Sequence, residues 1–242
     1  MISQVIDFLD DKVFYADMLD VATRPCSTVL AAGPTGVLLR TGAGTAMMAS
    51  ADEDSAKTLL GLLDPSRCDC IVVHEEHAVP LVEERLGFDR HTCCIASAYL
   101  GAALPQSSRT DLSVVPLKED WVGVISENYS MDGPDYIRAR IDAGEMWGAF
   151  RDAELLGFIG LHEEGSMGML QVFEPYRRQG VAEYLVTDLA NRMLAQGRVP
   201  HDHIILGNLA SEALQRKLGF SISTRRLWWM SHGDHGPCSD QS

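Results

Sequence analysis

Hydrophobic and polar positions alternate along much of residues 146–173, as expected for strands that pack one face on a core. The pattern predicts a hairpin that turns at Asp152-Ala153-Glu154, followed by a third strand at 166–173. After this strand the spacing changes, and apolar residues recur every four positions at Val181, Leu185, Leu189 and Met193. That spacing predicts a helix between about Gly180 and Gly197.

Two parts of the chain share one order of elements: a strand, a short helix, Leu-Gly-Phe and a second strand. The triplets are Leu86-Gly87-Phe88 and Leu218-Gly219-Phe220. In each triplet a left-handed glycine can end the helix, and the phenylalanine can fold back onto it. We interpret the repetition as an internal duplication, against the alternative that the two triplets arose by chance. In the second copy, Ser211 is the predicted cap of a short helix at 211–218.

The order of the predicted elements indicates the fold class. A helix that ends at Gly144 precedes the antiparallel run, and strand, helix, strand, helix and strand follow it. This order predicts an α/β protein with a mixed sheet in a three-layer arrangement. Residues 102–111 are the best linker candidate, because Pro105 and two serines separate apolar strands there.

Composition excludes several classes of protein. The chain has 242 residues, of which 46% are hydrophobic, so it can form one large domain or two small ones. Its net charge of −14 is spread evenly over the two halves, so no basic surface for nucleic acid is expected. Neither a secretory signal nor a membrane span is predicted. The six cysteines form no CxxC motif and no spaced disulfide framework, which favours a reducing, cytoplasmic location.

The residues just before the long helix suggest an anion site. Arg177, Arg178, Gln179 and Gly180 lead directly into it. The free N–H groups at a helix start carry roughly half a positive charge. Gly180 has no Cβ and Ala182 is small, so an anion can approach these groups closely. We interpret the loop as a cradle for a diphosphate; the alternative is a basic, solvated helix start.

The motif RRQGVA resembles the R/Q-x-x-G-x-G/A signature of the GNAT N-acyltransferases, in which this loop holds the pyrophosphate of acetyl-CoA. The similarity extends over nearly all of 111–230: GMLQVFEPYRRQGVAEYL looks like the fourth strand, loop and helix of that family. ILGNLASEALQRKLGF looks like its fifth strand and next helix. Residues 215–220 and Trp228-Trp229 most resemble the glycine N-acyltransferase-like branch, whose members carry a degenerate first GNAT half.

The resemblance implies tandem GNAT-like three-layer αβα folds, with mainly antiparallel sheets and a parallel, splayed pair formed by the family's strands 4 and 5. We expect a degenerate GNAT-like domain without a CoA motif at 1–105, the N-acyltransferase domain at 106–230 and a flexible tail at 231–242. In the first half, Asp52, Glu53 and Asp54 stand at the corresponding helix start and would repel a diphosphate. That half is expected to pack against the second and shape the acceptor cleft.

The resemblance also implies which residues contact acetyl-CoA. The backbone of Leu170, Gln171 and Val172 would pair with pantetheine, as an added strand would. Arg177, Arg178, Gln179, Gly180, Val181 and Ala182 would hold the pyrophosphate. Asn208 would reach the pantetheine arm, unless it is an ordinary strand-end turn residue. Ser211 would touch the cofactor near the next helix, although a capping serine would look the same.

Acyl transfer to an amine needs a base, for which related enzymes place a glutamate near the start of the fourth strand. Ser166 occupies that position, directly after Glu163 and Glu164. We select Glu164 as the base, with a solvated turn carboxylate as the alternative reading and Glu174 as another candidate. Many of these enzymes use a tyrosine as general acid where this chain has Gln215, so the thiolate would leave unaided or another acid would serve. Tyr129 and Tyr136 are candidates for the acceptor site.

The expected function is an acetyl-CoA- or acyl-CoA-dependent N-acyltransferase that acts on a small-molecule amine or amino acid by direct attack in a ternary complex. The alternatives are a CoA-binding sensor or interaction module without turnover, and a structural relative that binds no cofactor. No nucleic acid, membrane or metal partner is expected, and the protein would be a monomer or homodimer. His232, His235 and Cys238 have metal-compatible spacing, but a tail without apolar anchors is a poor site.

Overall fold

The computed structural model describes residues 1–105 and 109–233. Residues 106–108 of the predicted linker and 234–242 of the predicted tail, including His235 and Cys238, lie outside the described residues. The elements of the first half are α1 (Ile2–Phe8), α2 (Ala16–Thr23), β1 (Thr28–Gly33), β2 (Gly36–Arg40), β3 (Ala46–Ser50), α3 (Glu53–Leu60), β4 (Cys70–Val73), α4 (Val79–Leu86) and β5 (Arg90–Ala98).

The second half repeats this order with an additional strand. Its elements are β6 (Ser113–Pro116), α5 (Val122–Asn128), α6 (Pro134–Asp142), β7 (Met146–Arg151), β8 (Glu154–Leu161), β9 (Met167–Val172), α7 (Val181–Ala195), β10 (His201–Ile205), α8 (Leu209–Lys217) and β11 (Ser221–Ser231). The hairpin, the third strand and the long helix therefore lie where the hydrophobic pattern predicts them. A 3-10 turn at Glu174–Tyr176 separates β9 from the loop that leads into α7.

The strands form two sheets, and the predicted mixed α/β class is confirmed. A seven-stranded sheet has the order β1-β2-β3-β4-β11-β5-β10, and a four-stranded sheet has the order β6-β7-β8-β9. The pairs are antiparallel except for β3 and β4, which run parallel and pair Ala46 with Ile71, Met47 with Val72 and Met48 with Val73. The two sheets approach each other at β9 and β10.

The larger sheet is built from both halves of the chain. The last strand, β11, lies between β4 and β5, two strands of the first half. In turn, β5 pairs with β10 of the second half over His201 to Ile205. The sheet therefore ties the two halves together, and the proposed division near 105 follows the repeat in the sequence. The division into domains at 1–105 and 106–230 stays a prediction.

Both Leu-Gly-Phe triplets end a helix as predicted. Gly87 has φ of 70° and Gly219 has φ of 85°, so both glycines are left-handed. Phe88 and Phe220 are 2% and 5% exposed, each within the core of its own half. The left-handed glycine and buried phenylalanine at both sites support the interpretation of the two segments as copies of one unit.

The long helix α7 packs on the smaller sheet through its predicted apolar stripe. Val181, Leu185, Leu189 and Met193 are each at most 1% exposed and share one core cluster with Trp147 of β7. The first half has its own core between α3, α4 and the larger sheet. No helix in the described ranges combines the length and apolar character that crossing a membrane requires. Cys26, Cys68 and Cys93 are free thiols.

Candidate functional site

A cavity of about 390 Å³ lies where β9 and β10 face each other. The two strands are not paired in the described structure, and each forms an edge of its own sheet. The wall includes the start of β9, all of β10 except its first residue, and the loop before β9. The first half supplies part of the opposite wall through Thr45, Cys70, Thr92 and Cys94. The cavity is therefore shared by both halves of the chain.

A β-bulge in β9 explains why this gap is open. Gly168 pairs with Gly160 and Gln171 with Phe158, so β9 has one residue more than β8 between these two pairs. Met169, inside the bulge, has φ of 50°, a left-handed conformation that methionine rarely adopts. A bulge bends its strand and increases the local twist. We infer that this bend turns β9 away from β10 and leaves the outer edge of β9 free for a ligand.

The first half has no comparable gap. Its strand β3 pairs with β2 without a register shift and with β4 in parallel. At the start of α3, the Asp52 side chain accepts a hydrogen bond from Ser55 N at 2.8 Å, and Ser55 Oγ accepts one from Asp52 N. The chain's own side chains thus occupy the helix start where the second half has none.

The loop before α7 has the geometry of an anion seat. Gly180 is the N-cap of α7 with φ of 80°, and no side chain caps the helix there. Arg178 is also left-handed, with φ of 60°, and both arginines of the loop are exposed. A turn in which left-handed residues alternate with residues of negative φ can direct successive N–H groups toward one side, which creates a concave site for anions. The loop therefore presents backbone donors, a helix start and two guanidinium groups together.

Hydrogen bonds within the loop hold this shape. Arg177 Nε donates to Val172 O at 3.1 Å, and Gln179 Nε2 donates to Pro175 O at 2.9 Å. Arg109, which the sequence analysis did not single out, donates to the carbonyl of Gln179 and forms an ion pair with Asp111 at 2.6 Å. A basic residue within the predicted linker carries no signal of its own, so only the fold could reveal this contact.

Asn208 and Ser211 lie at the cavity, but their local roles differ from the prediction. The predicted cap of α8, Ser211, is wrong, since α8 begins at Leu209 and Asn208 is its N-cap. Asn208 Oδ1 accepts a hydrogen bond from Ser211 N at 3.1 Å. An asparagine is among the best N-caps because its carbonyl satisfies a free N–H of the first turn. Both residues line the cavity together with Leu170.

The remaining predicted contact residues surround the cavity rather than line it. Gln171 and Val172 follow Leu170 along β9, and Val172 is joined to the anion loop through Arg177. The loop residues 177–182 are not part of the cavity wall. β9 thus connects the two features: its start lines the cavity, and its end reaches the anion loop.

The loop before β9 brings two glutamates to the cavity. Glu164 is 1% exposed, and its carboxylate accepts a hydrogen bond from the Ser166 hydroxyl. Glu163 accepts one from Thr41 Oγ1 at 2.9 Å, and burial together with the nearby Glu164 raises the pKa of Glu163. Glu174, in contrast, is exposed in the 3-10 turn and does not line the cavity. The geometry therefore separates Glu174 from the two glutamates of the loop.

Two arginines fix the position of this loop. Arg24 of the first half donates to Glu163 O at 3.1 Å, and Arg198 donates to Gly165 O at 3.1 Å. Asp20, at the end of α2, accepts hydrogen bonds from both guanidinium groups at 2.9 and 3.0 Å. Burial opposes the charged form of Asp20, but Arg198, His201 and Arg24 together outweigh it and lower the pKa of Asp20. The first half thereby positions the carboxylates of the second.

Asp132 is a further carboxylate in the cavity wall, and the sequence analysis missed it. It lies just before α6 and is 7% exposed. Neither of its oxygens has a hydrogen-bond partner in the described structure. Burial raises the pKa of Asp132 to about 6, with Glu164 adding to the rise and His162 opposing it. One aspartate between two short helices carries no pattern that would have identified it.

Aromatic groups complete this side of the cavity. Tyr129 and Tyr136, the two tyrosines proposed for the acceptor side, both line it. Tyr136 Oη lies 3.0 Å from His162 Nδ1 and accepts a hydrogen bond from Glu163 N at 3.3 Å. Burial lowers the pKa of His162, which disfavours a positive charge on that ring. The wall near Asp132 is therefore acidic and aromatic.

Gln215 is a buried residue of the cavity wall, and its side chain is not available as a proton donor. Its side-chain amide donates to Asp202, which also accepts a hydrogen bond from the Ser97 hydroxyl. Burial raises the pKa of Asp202 to about 6. The carbonyl oxygen of Gln215 has no partner in the described structure. An amide in this position orients Asp202 but supplies no proton.

The imidazole of His203 on β10 is paired with the buried carboxylate of Asp17 in α2. Asp17 lies 3.2 Å from His203 Nε2 and 3.1 Å from His74 Nε2. Burial disfavours the protonated form of His203, but Asp17 outweighs this effect and raises its pKa. Trp229 donates to His203 Nδ1 at 3.0 Å. Any positive charge on His203 is therefore neutralised from within the protein.

The unpaired Asp132 gives a pH-dependent stability that can be measured. Because its folded pKa of about 6 exceeds the usual 3.8, the folded state binds the extra proton, and its contribution to stability is lost as the pH rises through 6. Between pH 5 and pH 8 the free energy of unfolding of the wild type should fall by about 1.4 kcal/mol relative to Asp132→Asn. Urea unfolding at both pH values measures this difference.

Asp135→Asn is the matched control for that experiment. Asp135 lies three residues further on in α6, and its side chain is 99% exposed. Its unfolding curve should follow the wild type at both pH values. A wild type and an Asp132→Asn variant that change in parallel from pH 5 to pH 8 would show that Asp132 is not perturbed by burial.

Comparison with known proteins finds a family model that matches much of the second half of the chain. Residues 148–229 match the model of a family described as FR47-like protein, which covers β8 to β10 and most of β7 and β11. The match therefore includes the bulged strand, the anion loop and the helix α7. Comparison with curated proteins finds no match.

Solved structures share the fold over most of the chain. A Drosophila protein is 18% identical with a TM-score of 0.63, over 83% of this chain and 74% of its own. A GCN5-related N-acetyltransferase from Kribbella flavida is 13% identical with a TM-score of 0.56, over 92% and 95%. A GNAT-family acetyltransferase from Colwellia psychrerythraea is 12% identical with a TM-score of 0.52, over 96% and 97%. At such identities the similarity establishes the fold, which is that of the GNAT acetyltransferases.

Proposed function

We propose that the protein is an acetyl-CoA- or acyl-CoA-dependent N-acyltransferase that transfers an acyl group to the amine of a small molecule or amino acid. One observation carries the proposal: the free edge of β9 connects an uncapped, glycine-containing helix start to a cavity with buried carboxylates in its wall. A helix start suits the pyrophosphate of CoA, a free strand edge suits the amides of pantetheine, and a buried carboxylate suits an amine acceptor.

The residues of this path fit acetyl-CoA as a substrate. The pyrophosphate would lie on the backbone of 178–182, with Arg177 and Arg178 beside it. Pantetheine would run along Val172, Gln171 and Leu170 toward the cavity, where Asn208 and Ser211 form the opposite side. Because Asn208 uses its carbonyl oxygen to cap α8, its amide group is the part that would donate to the ligand.

Glu164 is the proposed base. An ammonium acceptor first transfers a proton to this carboxylate, and the neutral amine then attacks the carbonyl carbon of the thioester. The C–N bond forms, the C–S bond breaks, and the departing thiolate takes the second proton of the nitrogen. The products are the amide and free CoA, and Glu164 releases its proton to water. Binding both reactants in one cavity supplies the proximity that direct attack requires.

The environment of Gln215 supports thiolate departure without a protein acid. Its amide is committed to Asp202, and an amide cannot release a proton at neutral pH. A thiol has a pKa near 8.5, so a thiolate is a far better leaving group than an amine. The same observation favours the second candidate function, a CoA-binding module that has lost turnover.

The finer assignment within the superfamily is also part of the proposal. The residues Gln215–Phe220 and the paired tryptophans of β11 support a relationship to the glycine N-acyltransferase-like branch, with residues 1–105 as a degenerate half that binds no CoA. The paired strands β3 and β4 and the self-capped start of α3 support the second part of this statement. That half would instead position the loop that carries Glu164.

Release of free thiol from acetyl-CoA tests the proposal. The purified protein is incubated with acetyl-CoA and each of a set of primary amines, and CoA is followed with a thiol reagent. We expect thiol release that depends on the amine and is saturable in it. Tight binding of acetyl-CoA without release for any amine would instead favour the module without turnover.

A further inference from the structure

We propose that the acceptor is a small amine that carries no carboxylate, and that Asp132 binds its positive charge. This inference rests on the proposed N-acyltransferase function and narrows its acceptor from amines or amino acids to amines alone. Asp132 would act as a specificity-determining residue rather than as the base.

Asp132 is a buried carboxylate of the cavity wall that lacks an internal partner in the described structure. Three other carboxylates of the wall, of which Glu164 and Asp202 are buried and Glu163 is partly buried, have partners: Ser166 for Glu164, Thr41 for Glu163 and Ser97 for Asp202. Asp132 is more than nine-tenths buried, and both of its oxygens lack a partner in the described structure. A buried carboxylate without a partner is costly, so proteins retain one where a ligand supplies the missing partner.

The rest of the wall offers nothing for a second negative charge. The described residues that line the cavity include five carboxylate side chains and no lysine or arginine. Arg24 and Arg198 are bound to Asp20 and to backbone carbonyls of the loop. Arg140, at the end of α6, lies near enough to influence Glu163 but does not line the cavity. His203 is paired with Asp17.

An α-amino acid would therefore bind poorly in this cavity. Its ammonium group could reach Asp132 or Glu164, but its carboxylate would lie among like charges without a cation. A buried negative charge without a partner is strongly disfavoured, and nearby carboxylates increase that penalty. The corresponding amine keeps the ammonium group and has no carboxylate to be buried without a partner. The tyrosine rings of Tyr129 and Tyr136 add apolar surface beside Asp132 for the body of such an amine.

Matched pairs of acceptors provide the test. Tyramine and tyrosine, histamine and histidine, agmatine and arginine, and cadaverine and lysine differ within each pair only by the α-carboxylate. Thiol release from acetyl-CoA gives kcat/KM for each compound, and calorimetry with CoA present gives its Kd. We expect at least one pair in which the amine exceeds its amino acid at least a hundredfold in kcat/KM and at least tenfold in affinity.

Variants at one position assign the selectivity to Asp132. Asp132→Asn should weaken binding of the preferred amine at least tenfold, Asp132→Glu should restore part of it, and the exposed Asp135→Asn should leave it unchanged. Thermal unfolding of each variant verifies that it is folded. An amino acid that binds and reacts as well as its amine overturns the inference, as does the absence of binding for all four amines.

The same data separate this inference from the proposed function. If the amines bind selectively and depend on Asp132 but no thiol is released, the transferase proposal fails and the amine site stands. If thiol is released equally with amines and amino acids, the transferase proposal stands and the inference fails.

Discussion

Replacing Glu164 with glutamine is expected to lower kcat about a hundredfold or more while the affinity for acetyl-CoA is retained. Glu164 is 1% exposed and lies in the cavity wall on the loop that precedes β9. A free alkyl amine has a pKa of about 10.4, so near pH 7 only about one molecule in a thousand is neutral. Without the carboxylate, the enzyme depends on this small neutral fraction in solution.

The pH dependence gives this prediction a specific signature. For Glu164→Gln, kcat/KM should rise about tenfold per pH unit up to the pKa of the amine, because solvent rather than the protein removes the proton. The wild type should show a weaker dependence over the same range. The measurement is thiol release under first-order conditions at several pH values between 7 and about 10.

Glu174→Gln is the matched control for the base. Glu174 is exposed in the 3-10 turn, outside the cavity, so its substitution should leave kcat near the wild-type value. Glu163→Gln then distinguishes the two glutamates of the loop. Should Glu164→Gln keep full activity while Glu163→Gln loses it, Glu163 would be the base and the present assignment would be wrong.

Gly180→Glu is expected to weaken acetyl-CoA binding at least tenfold, which corresponds to about 1.4 kcal/mol. Gly180 has φ of 80° at the start of α7, and a Cβ there would lie 3.7 Å from the guanidinium of Arg109. The substitution places a negative side chain in the region proposed for the pyrophosphate and covers the N–H groups of the first turn. Calorimetric titration with acetyl-CoA measures the loss.

Gly197→Glu is the control that distinguishes loss of the pyrophosphate site from the effect of backbone strain. Gly197 follows the other end of the same helix, has φ of 73°, and has no atom within 4 Å of its Cβ position. Both variants carry the cost of a left-handed non-glycine residue, so both should lower thermal stability. Only Gly180→Glu should lose affinity. Equal affinities in the two variants would contradict the pyrophosphate seat.

The hydrophobic pattern predicted the second half well because the local signals there agree with the final packing. The stripe from Val181 to Met193 faces the smaller sheet, and the hairpin turns at Asp152, which is left-handed. The two Leu-Gly-Phe triplets also behave as local motifs, because a left-handed glycine ends a helix by its own conformational preference. Such features depend on neighbours in sequence and can be read from it.

The arrangement of the larger sheet could not be predicted in the same way. β11 lies between β4 and β5, strands that precede it by more than a hundred residues. Nothing in the apolar pattern of β11 specifies a partner from the other half, because any buried edge satisfies the same alternation. The position of β11 between two strands of the first half therefore follows only from the backbone pairings of the folded chain.

In the candidate site, too, local motifs could be predicted from the sequence and long-range contacts could not. The anion loop was predicted because a glycine, two arginines and a helix start are adjacent in sequence. Asp132 and Arg109 were missed because each is a single residue that gains meaning only from distant neighbours. Asn208 was selected as a ligand contact, while its role as the cap of α8 was assigned to Ser211; the two positions are three residues apart within one turn.

The central claim is that the start of α7 and the free edge of β9 bind a CoA thioester. Calorimetric titration of the unmodified protein with acetyl-CoA tests it most directly. We expect saturable binding with one molecule per chain, and weaker binding for a pantetheine thioester that lacks the pyrophosphate and nucleotide. No detectable heat at millimolar acetyl-CoA, or equal affinity for the two thioesters, would contradict the claim.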